Sequence, residues 1–183
     1  MESDIARALS SASTATVAGR FQRHVSPRQE PLRGSRSGGR WGPDGAYPVL
    51  YLGRPTDSVI VEAYRHLVET VEGMQPHMVG PRHLVTCEVE IMSVLDLREA
   101  ANRDVVGLTL AKLTSEVGDY EACHRIGQAA YELGLHGVIA PAAGGLGETL
   151  AVFEDRLPDD EQPVLVGQQT WESLPADPRT KEQ

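Results

Sequence analysis

Four short contexts hold the residues with the clearest chemical capacity: Arg20 in "VAGRF", Arg40 in "SGGRW", Tyr51 in "VLYLG" and Glu62 in "SVIVEAY". Guanidinium groups such as those of Arg20 and Arg40 can bind a phosphate bidentately. The glycines before Arg40 would let a ligand approach the backbone. In an acidic chain, though, an arginine is as readily a solvated or ion-paired surface residue. Tyr51, an aromatic among aliphatic residues, offers a platform for a flat ring or packs as a core tyrosine with a satisfied hydroxyl. Glu62 has Arg65 and His66 three and four residues on, so it can pair along its own helix. Alternatively, a carboxylate near a helix start, beside a phosphate-gripping loop, can stabilise positive charge developing on a ribose ring. Breaking a glycosidic bond to a good leaving group passes through an oxocarbenium-like state that needs such a group.

Other chemistries lack their motifs. "AAGGLGE" has neither the GK[ST] ending of a P-loop nor a strand-GxGxxG-helix setting, and reads as a tight turn. The histidines at 24, 66, 77, 83, 124 and 136 form no HExxH motif and no triad order, so no metal site or nucleophilic triad is expected. Cys87 and Cys123 belong to no CxxC or Cys/His cluster, which fits a reducing cytosol without a disulfide framework.

The elements that must position these residues follow from periodicity. "PVLYLG" reads as a short strand buried on both sides, with Val49 and Tyr51 on one face and Leu50 and Leu52 on the other. Thr56 or Asp57 can cap the following helix, whose apolar stripe runs Val59, Ile60, Ala63, Leu67 and Val71, with Gly73 near its end and Glu62 off the stripe. Val85, Cys87, Val89 and Ile91 alternate as a strand, and "VLDL" at 94–97 continues it or forms another. Cys123, Ile126, Ala130 and Leu133 make a second helical stripe that stops at Gly134, a natural left-handed cap. "GVIA", "TLAVF" and "PVLVGQQT" read as strands, and the arginine-, glycine- and proline-rich stretch 22–45 as a long irregular connection. This order predicts a single α+β domain with a small mixed, partly antiparallel sheet flanked by helices.

With 183 residues, 40% of them hydrophobic, the chain can build one substantial core. Its formal charge of −9 provides no general field for polyanions, so nonspecific nucleic-acid binding is not expected and phosphate binding would fall to a few placed arginines. No signal-peptide pattern and no long apolar run occurs, so a soluble, cytoplasmic protein is expected. Residues 1–15 and 172–183 are expected to be flexible ends around a single domain at 16–171.

"GRF", "SGGRW", "VLYLGRPTDSVIVEAY" and "CHRIGQAAYELGLHGVIAPAAGG", in this order and spacing, resemble the RES-domain family of bacterial toxins over Ala18 to Phe153. The resemblance implies a fold related to ADP-ribosyltransferases and NAD as substrate rather than a bound cofactor. It also implies a partner antitoxin, usually with a helix-turn-helix region, in a dimer or larger toxin–antitoxin assembly. By motif match, Arg20, followed by Phe21, and Arg40 look like the family's pyrophosphate-binding arginines, Tyr51 its strand tyrosine and Glu62 its helix glutamate, with Glu62 and Arg40 carrying the chemistry. One position departs from the pattern: Glu121 stands where the family has its serine, and Ser37 and Ser58 are conceivable substitutes. The implied activity is cleavage of the nicotinamide–ribose bond with phosphate or water as acceptor. A protein ADP-ribosyltransferase and a degenerate antitoxin-binding subunit are the alternatives.

Overall fold

The computed structural model describes residues 2–182. In chain order, helix α1 (Glu2–Ser10) precedes strand β1 (Thr14–Val25). After an irregular connection come β2 (Val49–Arg54), α2 (Thr56–Tyr64) with a π-helical turn at Arg65–Glu69, and the long β3 (Arg82–Asp96). Short helices α3 (Ala100–Val105) and α4 (Leu110–Leu113) lead to α5 (Glu121–Glu132), and β4 (Gly137–Pro141), β5 (Glu148–Phe153) and β6 (Val164–Trp171) follow. No helix among the described residues is long and apolar enough to cross a membrane.

The strands run in the order β1-β2-β5-β4-β3, and β3 also pairs with β1, so the sheet closes into a small barrel with β6 attached outside to β3. Every pairing is antiparallel except β3 with β4, as expected of a mixed, partly antiparallel sheet. Inside the barrel the alternate residues Val17, Phe21, Leu50, Leu52, Cys87, Val89, Ile91 and Ile139 form one apolar cluster. Outside, α5 covers a second cluster containing Trp41, Leu95, Ile126 and Phe153, and α2 a third containing Val59, Ala63, Leu84 and Trp171. Each helix thus buries most of the stripe its periodicity shows.

The 82–96 segment is one strand, the continuous one of the two expected arrangements, in which Ser93 at φ 55° lets the inward row move from Ile91 to Val94. Other boundaries differ from the sequence expectation for identifiable reasons. Pro55, not Thr56 or Asp57, occupies the N-cap of α2, and the Thr56 hydroxyl instead donates to Gln22 Oε1 at 2.6 Å, tying the helix to β1. Val71 and Leu133, expected on buried stripes, are exposed, while Gly134 adopts the expected left-handed cap at φ +77°. The irregular connection begins only after Val25, because Gln22–Val25 pair with β3.

Both ends expected to be flexible pack against the domain, except Met1 and Gln183, which lie outside the described residues. Ile5 and Leu9 of α1 join the cluster under α5. Leu174 packs near α2, and the Tyr64 hydroxyl donates to the Pro175 carbonyl at 2.8 Å. Arg179 bridges Asp177 and Glu69.

The connection between β1 and β2 is fixed by contacts rather than by regular structure. A side chain on Gly127 of α5 would occupy the place of the Trp41 carbonyl, which also accepts from the Tyr47 hydroxyl at 2.9 Å. His124 Nε2 lies 2.7 Å from the Gly39 carbonyl. Tyr51 lies so close to Gly39 that a Cβ there would be 2.6 Å from its hydroxyl. Gly127→Ala is therefore expected to destabilise the fold by about 1–3 kcal/mol through overpacking against backbone. Thermal denaturation would show the midpoint falling by about 2–4 °C per kcal/mol; an unchanged midpoint would remove the seat from this account.

Candidate active site

β1 and β2 meet at a single register position, Gln22 opposite Gly53. Beyond it, Arg23–Val25 continue along β3 without β2 on their other side, so both faces of the β1 end reach the same opening. A cavity of about 260 Å³ lies there, closed by the Gly38–Trp41 segment, Tyr51 of β2, Ser58, Glu62 and His66 of the α2 region, Tyr120, and the β4–β5 end. A second cavity of about 510 Å³, between α1 and α5, contains none of the sequence-predicted site residues.

Of the predicted residues, the structure brings Arg40, Tyr51 and Glu62 together in the first cavity. Arg40 donates from Nη1 to Ser115 Oγ and from Nη2 to the Ser115 carbonyl, both at 3.2 Å, and its guanidinium lies 4.6 Å from the Tyr120 ring centroid. The Tyr51 hydroxyl accepts from the Trp41 backbone N–H at 2.9 Å. Burial raises its pKa above the ordinary tyrosine value, so the phenol is neutral.

Glu62 sits near the C-terminal end of α2, its side chain 26% exposed. Its Oε2 lies 3.4 Å from His66 Nε2, whereas Oε1 is buried without a hydrogen-bond partner among the described residues. Arg65 Nε stands 3.8 Å from Oε1, beyond hydrogen-bond range, while its terminal nitrogens donate to the carbonyls of Ala143 and Ser115. Burial pushes the Glu62 pKa up, but the His66 hydrogen bond and the charges of His66, Arg65 and Arg40 outweigh it and hold the carboxyl below the usual range. The result is a carboxylate on the cavity wall whose charge is balanced while one buried oxygen has no hydrogen-bond donor among the described residues.

Arg20, Phe21 and Glu121 are not brought to this cavity. Arg20 lies further along β1, 74% exposed and paired with Glu88 at 3.2 Å. Phe21 is fully buried in the barrel, with the Arg54 guanidinium 4.1 Å from its ring centroid. Glu121 is exposed at the start of α5, so its charge is not in the cavity wall. Of the two serines considered for its place, Ser37 is exposed and bonded to Ser35, whereas Ser58 is 1% exposed and faces the cavity.

Arg23 and His24 line the cavity and were missed in the sequence reading. Arg23 belongs to the inward row Val17, Phe21, Val25, and an arginine in a row otherwise buried and apolar was the available signal. Burial lowers its pKa from the ordinary value, and Nη1 donates to the Arg33 carbonyl at 2.9 Å. His24 Nδ1 accepts from Arg82 Nε and Nη2 at 3.2 and 3.0 Å, which leaves the proton on Nε2. Burial, with the neighbouring Arg82, His66 and Arg23, lowers its pKa to about 3, so it is a neutral donor near pH 7.

The family model for the RES domain matches residues 6–173. The chain belongs to the RES domain family. It is similar to the NAD(+) phosphorylase MbcT of Mycobacterium bovis and of Mycobacterium tuberculosis, each 31% identical over 137 residues, covering 73% of this chain and 73% of the relative. The fold matches the crystal structure of the M. tuberculosis MbcT–MbcA toxin–antitoxin complex with a TM-score of 0.81 and 26% identity, over 92% of each chain. In this RES domain, the quoted motifs meet physically: "GGRW" rests on the "CHRIG" helix and on the tyrosine of "VLYLG".

His66 is the first neighbour offsetting burial of Glu62, so its removal has a defined sign. In His66→Ala the Glu62 carboxyl loses a hydrogen bond and a cationic neighbour, and its titration midpoint moves to higher pH. Carboxyl-carbon NMR titration would read this directly, and a midpoint that stays or falls would contradict the assigned balance.

Proposed function

We propose that this RES domain is an NAD-consuming toxin that cleaves the nicotinamide–ribose bond with inorganic phosphate as acceptor. The reading is supported by the partly exposed carboxylate of Glu62, which lines one cavity with Arg40 and Tyr51, in a chain similar to NAD(+) phosphorylase MbcT. The cavity is below the roughly 300–1,000 Å³ usual for whole small-molecule sites. It suits one nucleoside end of an extended ligand, with the rest lying toward the opening.

In the proposed step the C–N bond between ribose and nicotinamide breaks, its electron pair leaving on the ring nitrogen. Nicotinamide departs neutral, so no general acid is required. The anomeric carbon takes on cationic character, and the Glu62 carboxylate stabilises it from a fixed position with little reorganisation. A phosphate oxygen then bonds to that carbon, giving ADP-ribose phosphate; water in its place would give ADP-ribose. Tyr51 provides the aromatic wall against the nicotinamide ribose end. Arg40 is one cation for the phosphates, and we assign the second to Arg23 rather than Arg20, because Arg23 lines the cavity whereas Arg20 is engaged with Glu88 outside it.

The partner in this reading is a cognate antitoxin, as MbcA is in the complex with MbcT. A helix-turn-helix region in that partner and a higher assembly belong to the same proposal.

Purified protein free of antitoxin, incubated with NAD, is expected to release nicotinamide faster with phosphate than without it and to yield ADP-ribose phosphate by chromatography. Glu62→Gln is expected to slow release by about two to three orders of magnitude, the usual cost of removing one preorganised electrostatic group. Equal release from the variant would sink the role of Glu62. A labelled protein band in place of a phosphorylated sugar would indicate transfer to protein. In the same assay Arg23→Ala is expected to raise KM about tenfold or more, as loss of one charge-assisted phosphate contact would, and Arg20→Ala to change it far less. The reverse order would return the phosphate role to Arg20.

A further inference from the structure

Ser58 lies two residues into α2 and is 1% exposed, yet its hydroxyl has no hydrogen-bond partner among the described residues. A helical serine commonly returns its hydroxyl to a carbonyl of the preceding turn; here only the Ser58 backbone N–H bonds backward, to the Pro55 carbonyl at 3.0 Å. Ser58 lines the cavity, and its hydroxyl lies beside Gly53, where an added Cβ would stand 3.7 Å from Oγ. Four residues on, and so on the same helix face, Glu62 presents its own buried, unpartnered Oε1. A buried polar atom without a partner costs folding free energy. Two such oxygens one turn apart, on residues that line one cavity, form a matched pair: an obligate acceptor and a group that can donate.

We propose that Ser58 is a substrate-contacting residue which, with Glu62, reads the two adjacent hydroxyls of the ribose that carries nicotinamide. Glu62 Oε1 accepts from one hydroxyl, and Ser58 Oγ donates to the oxygen of the other. Side chains at this spacing have Cβ atoms about 5–6 Å apart, and two hydrogen bonds of about 2.7 Å reaching inward meet neighbouring oxygens of one sugar. A carboxamide could also satisfy a donor and an acceptor, but it would place Glu62 at the leaving group rather than at the developing cation. The assignment rests on the NAD reading above. It also makes Ser58, not residue 121, the serine that contacts substrate in this cavity.

Binding of ADP-ribose, which has this ribose, and of ADP, which lacks it, would be measured by calorimetry with the full-length protein, Ser58→Ala and Ser58→Cys. Ser58→Ala is expected to weaken ADP-ribose about tenfold, the scale of one lost buried hydrogen bond, and to leave ADP within about twofold. Ser58→Cys, with a weak donor, should resemble Ser58→Ala. The ligand-free melting temperature of Ser58→Ala should not fall, because the substitution removes an unpaired group; a purely structural serine would show the opposite. Unchanged ADP-ribose affinity, or equal weakening of both ligands, overturns the assignment. Nicotinamide release from NAD by the same wild-type preparation reports separately on the activity: its absence would refute the NAD-cleaving reading, while calorimetry still decides the ribose contact.

Discussion

The carbonyl of Trp41 occupies the space that any side chain at position 127 would need. That close approach of backbone to helix lets an irregular segment act as a rigid wall. The Trp41 carbonyl is held by the Tyr47 hydroxyl, its N–H by the Tyr51 hydroxyl, and the neighbouring Gly39 carbonyl lies against His124. These contacts come from α5, from β2 and from the connection itself, so Arg40 has backbone support on both sides. A loop without this seat would have to spend binding free energy on ordering the arginine. The tryptophan side chain completes the arrangement by filling the core at 1% exposure.

Electrostatics are set locally, against the sign of the whole chain. A protein of net charge −9 does not collect phosphate through its overall field, and charges beyond about 8–10 Å are screened at physiological salt. What remains is the handful of groups at the cavity: Arg23 and Arg40 facing it, Arg65 beneath Glu62, and a neutral His24 oriented by Arg82. Arg65 and His66 keep Glu62 ionised, while Oε1 stays free of hydrogen bonds. A direct hydrogen bond from Arg65 Nε to Oε1 would have stabilised the fold and removed an acceptor from the site.

Most of the architecture was legible in the sequence because it rests on periodicity. The β2, α2, β3 and α5 segments and the glycine cap at 134 each follow from apolar spacing or a turn residue, and the mixed sheet follows from their order. Closure of the barrel was less accessible, since pairing of β1 with β3 joins segments separated by the whole β2–α2 unit. In the site, Arg40, Tyr51 and Glu62 were found through motif order, whereas Arg20 was preferred over Arg23 because the arginine in "GRF" matched a motif spacing. Strand alternation carries contrary information: it puts Arg23 in the row of Val17, Phe21 and Val25, where a charge is costly without a purpose. The Glu121 departure could not be weighed from sequence because exposure at the first turn of α5 depends on how α4 and α5 meet.

The unpaired atoms of α2 connect stability to activity. Ser58 Oγ and Glu62 Oε1 are buried without a hydrogen-bond partner among the described residues, and Arg65 Nε, 3.8 Å from Oε1, likewise has none. Free energy withheld from the empty fold is available when a ligand supplies the missing partners, and a ligand that binds only the native state stabilises it in proportion. The barrel and α5 cannot serve this purpose, because their interiors are apolar and closely packed. α2 can, because one face packs on Leu84 and Trp171 while the other borders the cavity. The same helix therefore anchors the fold through its apolar stripe and keeps a polar face incompletely satisfied beside the cavity.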